Sequence, residues 1–147
     1  MELPEYVTVD EVKRVCRELK IGDWTTLKEA KVLPKEAKVI LDEVNVEGMN
    51  IAIGDFCRGL EVELEHGLRF KDANVTNNHP ILTGKIVLAH LKETLDYYKR
   101  LEVAELEGDL LKALVAGNLG KVKNLYKELA EAKRILSQAE SEVLASN

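Results

Sequence analysis

Apolar residues return every three or four positions along most of the chain, the spacing of amphipathic helices. Thr8-Val9-Asp10-Glu11 reads as a capping box, with Thr8 as N-cap and Glu11 three residues on. Val9, Val12, Val15, Cys16 and Leu19 carry that first helix to about Lys20, where Gly22 supplies the stop and Trp24 plugs the end of the core. Pro34 suits the first position of a second helix, whose inner stripe is Ala37, Ile40, Leu41 and Val44. "NVEGMNIAIG" reads as a connection. Phe56, Leu60, Leu64 and Leu68, with Cys57 beside them, then predict a helix from about Asp55 to a stop at Gly67. Leu60, Val62 and Leu64 also alternate as in a strand, but the four-residue recurrence favours helix.

"RFKDANVTNNH" is a connection of about a dozen residues, a length often tied to function. Pro80 opens a helix with Leu88, Leu91, Leu95 and Tyr98 on one side and Leu82, Ile86, Ala89, Glu93 and Tyr97 on the other. A helix apolar on two sides belongs at the centre of a bundle. Leu106, Leu110, Leu111 and Leu114 continue the period, Gly117 breaks it, and a last amphipathic helix runs from Val122 to Val143. Strand candidates are few. The expected fold is all-α: one domain over 1–147, a compact bundle of five or six helices with a long amphipathic C-terminal helix.

Composition narrows the possible roles. A net charge of −5 argues against a dedicated nucleic-acid binder, which needs clustered Lys and Arg. No apolar run approaches a membrane span, and "MELPEYV" lacks the pattern of a secretion signal, so a cytoplasmic location is expected. Without that signal, the glycosylation pattern at Asn74-Val75-Thr76 carries no meaning. Cys16 and Cys57 fit no zinc spacing and are expected to be buried thiols.

The chemistry concentrates elsewhere. Glu63 and His66 are three apart, and His90 and Glu93 repeat that spacing in reverse order. If the two helices packed antiparallel, the imidazoles would lie level with each other, and so would the carboxylates. Two His and two Glu converging between helices form a ligand set for zinc, iron or manganese. His79 and Glu65 are possible additional ligands, and Tyr97 or Tyr98 possible outer partners. A structural alternative stands beside it: His66 compensating a helix C-terminus, Glu61, Glu63 and Glu65 on a solvated face, and His90 hydrogen-bonded to Glu93. "GDFCRG" lacks the lysine of a phosphate loop, and no nucleophile arrangement appears, so no catalytic residue is assigned and an enzyme is not expected.

"GDFCRGLEVELEHG" followed by "NVTNNHPILTGKIVLAHLKETLDYYKRL" resembles an uncharacterised family of small phage and prokaryotic proteins. Its pattern is Gly-x-x-x-Glu-x-Glu-His, a short loop, then Ala-x-x-His-Leu-x-Glu followed by Tyr-Tyr-x-x-Leu. "LKIGDW" resembles that family's N-terminal turn. The likeness covers about 8–24 and 54–101, with an apparent insertion near 25–53 and a C-terminal extension over 102–147. It implies a joint role for Glu63, Glu65, His66, His90, Glu93, Tyr97 and Tyr98. The chain departs from the pattern where relatives carry an acid at Ala89, a proline at Leu95 and an acid at His79.

Two functions follow as expectations. The first is a small helical protein with a mainly structural divalent-metal site at Glu63, His66, His90 and Glu93. The second is an interaction or assembly protein, a homo-oligomer or accessory subunit, that uses the C-terminal helix and no metal.

Overall fold

A computed structural model describes residues 5–146. Six α-helices are present among them: α1 (Val9–Leu19), α2 (Pro34–Val44), α3 (Ile53–Arg69), α4 (Pro80–Glu93), α5 (Tyr97–Val115) and α6 (Leu119–Ala145). Short 3-10 turns occupy Trp24–Thr26 and Lys71–Ala73. The described residues contain no strand, so the fold is all-α. The chain divides into two compact units, Met1–Leu95 and Asp96–Asn147.

In the first unit α2, α3 and α4 pack on one another, and α1 packs on α4 and the Trp24 turn. Thr8 Oγ1 accepts the Glu11 amide as a helix cap should, but the Glu11 carboxylate turns to Arg14 instead of reaching back. The stop of α1 is Lys20, in the left-handed region at φ 55°, not Gly22. Gly22 serves a different purpose. Its amide donates to Glu36 Oε1 at 2.8 Å, and a Cβ there would crowd that oxygen. Trp24 is buried as expected, together with Val12, Ala37, Ile40, Phe56, Leu60, Leu64 and Val87. The segment before α2 is held to α3 through one residue: Val32 N–H donates to Glu61, and the Cys57 thiol donates to the Val32 carbonyl.

Two glycines set the packing. At Gly84 a Cβ would lie 2.6 Å from Ile40 Cγ2, so α2 crosses α4 where the latter has no side chain. Gly67 does not stop α3, which continues to Arg69. Instead Asn74 and Asn78 close over it: Asn74 Nδ2 donates to the Gly67 carbonyl at 3.2 Å and to Asn78 Oδ1 at 3.0 Å. The dozen-residue connection is therefore fastened onto α3 by its asparagines. Asn77 and Asn78 both take left-handed φ, a conformation asparagine tolerates, and Asn77 ties residues 5 and 7 to the loop.

The helix opened by Pro80 ends earlier than the sequence pattern predicts. Thr94 is extended (φ −160°), and Tyr97 starts a new helix. The two-sided stripe is lost accordingly. Thr83, Gly84, Val87, Leu88 and Leu91 form one buried side, whereas Ile86, Ala89, Glu93 and Leu95 are exposed or only partly covered.

The second unit is a helical hairpin. α5 and α6 bury Ala113, Leu125, Leu129 and Ala132, and the turn uses Gly117 at φ 66°. Asn118 Oδ1 caps α6 by accepting the Lys121 amide. Glu107–Lys133 (2.7 Å) and Arg100–Glu140 (2.9 Å) bridge the two helices.

Candidate functional site

Glu63 is placed by the core stripe of α3. Phe56, Leu60 and residue 63 recur at intervals of four and three, so position 63 shares the inward side, and Leu64 beside it is buried. His90 sits likewise on α4, three residues after buried Val87 and next to buried Leu91. A carboxylate and an imidazole on inward positions need polar partners, and they find each other.

Glu63 Oε1 stands 3.2 Å from His90 Nδ1, and Glu63 Oε2 stands 3.8 Å from His66 Nδ1. One carboxylate thus faces two imidazoles. Side-chain exposure rises from 14% at Glu63 through 29% at His90 to 54% at His66, so the cluster opens to solvent on the His66 side. As placed, no three His, Cys, Asp or Glu side chains among the described residues are gathered closely enough to hold a metal ion.

The register differs from the antiparallel alignment that the reversed spacing suggests. Glu63 meets His90 instead of lying level with Glu93, Phe56 lies against position 84, and Asn78 just before α4 sits against Gly67 near the end of α3. Glu93, one turn further along α4, is exposed.

The remaining candidate residues lie elsewhere. His79 is buried and acts as the N-cap of α4: its Nδ1 accepts the amides of Ile81 and Leu82 at 3.2 and 3.4 Å. Its Nε2 faces Glu11 of α1 at 4.0 Å. Burial pushes this imidazole below the ordinary histidine range, against the opposing pull of Glu11. Glu65 lines a surface groove of about 540 Å³ with Lys28, Glu29, Lys31, Leu68 and Arg69. Tyr97 and Tyr98 open α5 in the second unit, their rings edge to face at 5.2 Å between centroids. Cys16 is buried as expected and Cys57 only half-buried, and both are held as thiols, since burial raises each. Sequence reasoning missed the roles of Asn74, Asn77 and Asn78; the signal was three asparagines within five residues before His79-Pro80.

Among the described residues no helix is long and apolar enough to cross a membrane. No curated protein and no solved structure matches the chain. A family model does match it, over residues 12–107, which runs from within α1 through the first half of α5 and leaves α6 outside. The chain therefore belongs to the family described as "Protein of unknown function (DUF5661)".

Proposed function

We propose that Glu63, His66 and His90 are the core of a divalent transition-metal site whose main role is to fasten α3 to α4. The observation behind this reading is the single carboxylate facing two imidazole nitrogens. Two ligand atoms about 2.0–2.1 Å from a tetrahedral zinc ion lie roughly 3.3 Å apart. Glu63 Oε1 and His90 Nδ1, 3.2 Å apart, already span such an edge. His66 Nδ1, 3.8 Å from Oε2 of the same carboxylate, would have to turn its exposed side chain to reach that ion. Glu93 supplies a fourth donor only through a change of side-chain conformation, and otherwise water takes that position. Zinc, iron and manganese all accept such a mixed nitrogen and oxygen set.

The test is metal content and thermal unfolding of the full chain, purified without chelator, beside the His66→Ala/His90→Ala double variant. The expected result is one metal ion per chain in the first and none in the second. Added zinc should raise the unfolding temperature of the native sequence alone, because a ligand that binds only the folded state stabilises it. Metal-free protein whose unfolding temperature ignores added zinc, iron and manganese would overturn the reading.

A second reading is supported by a separate observation. Leu119, Tyr126, Val143 and Leu144 of α6 are all more than half exposed. On this reading the protein is an assembly or accessory protein that docks through its C-terminal hairpin, and the Glu63 cluster only fixes the fold.

A further inference from the structure

The α5–α6 hairpin buries little of its own. Its two helices hide Tyr98, Ala113, Leu125, Leu129 and Ala132, two of them alanines. Helical hairpins of this kind reach a full core when two more helices cover one side. Which side is available can be read from the ion pairs. Glu107–Lys133 and Arg100–Glu140 join α5 to α6 and so mark one side of the hairpin. Positions seven apart lie on the same side of a helix. Seven residues on from Arg100 is Glu107, and seven further is Leu114. On α6, seven back from Glu140 is Lys133, then Tyr126, then Leu119. This one side therefore carries paired charges in its outer half and apolar residues toward the Gly117 turn.

Leu111, Leu114, Leu119 and Tyr126 are 63, 52, 76 and 65% exposed. Together they present roughly 500 Å² of apolar surface, at the upper end of what a monomer leaves uncovered. A standard interface buries ~800 Å² per partner, so the patch has to be joined by its charged margin to reach that size.

We propose that this face docks on the same face of a second copy, forming a four-helix bundle about a twofold axis. The proposal rests on the assembly reading above and names its partner. Charge selects the occupant. The chain carries a net −5, so two copies repel each other in general. On this face each acid is already matched, Glu107 with Lys133 and Glu140 with Arg100, so two copies meet without like charges opposed. The other side of the hairpin carries Glu105 and Glu128, which would face their own copies across a twofold axis, while Asp109 there is paired with Lys112. An isologous contact needs a self-complementary surface, and an apolar patch bordered by neutral ion pairs is one.

The experiment is sedimentation equilibrium of the full chain over a concentration series, with Leu114→Glu, Leu119→Glu and the opposite-side control Glu105→Lys. Circular dichroism would confirm that each variant keeps its helix content. The expected result is a dimer for the native sequence and for Glu105→Lys, and dimerisation weakened by about a hundredfold or more in the two leucine variants, since each removes a buried leucine from both partners. A dimer that survives both leucine variants overturns the face. A monomeric native chain overturns self-docking, and binding of an apolar fluorescent dye then separates the two readings. Dye binding lost in Leu114→Glu would leave the patch exposed for a different partner, and absence of dye binding would end the assembly reading as well.

Discussion

At the scale of single residues, His79 shows how one position can be read in two ways. A histidine in a loop just before proline is a reasonable ligand. The residue before a helix-opening proline also stands at the cap position, where an acid or an amide side chain usually serves. In this chain the imidazole fills the same role through Nδ1, which must be unprotonated to accept the amides of Ile81 and Leu82. Because burial lowers its pKa below the ordinary histidine value of 6.5, the folded state binds the proton less readily than the unfolded chain does. The stabilisation is therefore complete above about pH 6.5 and is lost as pH falls from there toward the depressed folded value. Glu11 and Arg14 are the charged groups facing the ring, and their opposed effects leave burial dominant. The urea midpoint should fall between about pH 7.5 and pH 5, and His79→Asn, a cap that does not titrate, should flatten part of that slope. His79→Ala should cost about 1 kcal/mol at neutral pH through loss of the cap. An unchanged slope in His79→Asn would show that the His79 cap does not carry it.

At the scale of helices, Val12, Val15 and Cys16 of α1, the α2 stripe, and Phe56, Leu60 and Leu64 of α3 are buried as hydrophobic spacing marks out, whereas Val9 is exposed and Leu19, Cys57 and Leu68 are half-covered. Spacing failed at the end of α4. Leu95, Tyr97 and Tyr98 continue a helical period on paper, yet Thr94 is extended and the period is shared by two separate helices. No proline or glycine marks that break in this chain, although a proline there would disfavour helix continuation. Leu95 leaves the break without that local cause. The same limit hid the pairing of Glu63 with His90: the i, i+3 spacing names the donors, but which donor meets which depends on the direction in which α4 crosses α3. Gly84 fixes part of that crossing. Gly84→Ala would force its methyl against Ile40, which is fully buried, and should destabilise the first unit by about 1–3 kcal/mol despite alanine's better helix propensity. At Gly108, within α5, a methyl would find no neighbour within 4 Å, so Gly108→Ala should stabilise by about 0.5–1 kcal/mol. Denaturant titrations of the two variants, with opposite signs expected, test both readings of glycine.

At the scale of the whole molecule, the two units differ in how they meet the cost of ordering a chain. Met1–Leu95 draws on α1 to α4 around Trp24, Phe56, Ile40 and Leu60, all at most 1% exposed. Asp96–Asn147 is longer in helix than in core, with surface ion pairs that each contribute little. A hairpin with so few buried side chains opens readily, whereas the amides of a multi-helix core exchange only through larger openings. If a second copy completes the hairpin, its protection must depend on how much partner is present, because association stabilises by mass action. Hydrogen exchange at two protein concentrations separates these contributions. The amides of α2, α3 and Val87–Leu91 of α4 should exchange slowly and at the same rate in both samples. Those of α5 and α6 around Ala113, Leu125 and Leu129 should slow in the concentrated sample, and Leu114→Glu should remove that difference without touching the first unit. Equal hairpin exchange at both concentrations would mean that its core is completed within one chain, and the exposed leucines would then owe nothing to self-association.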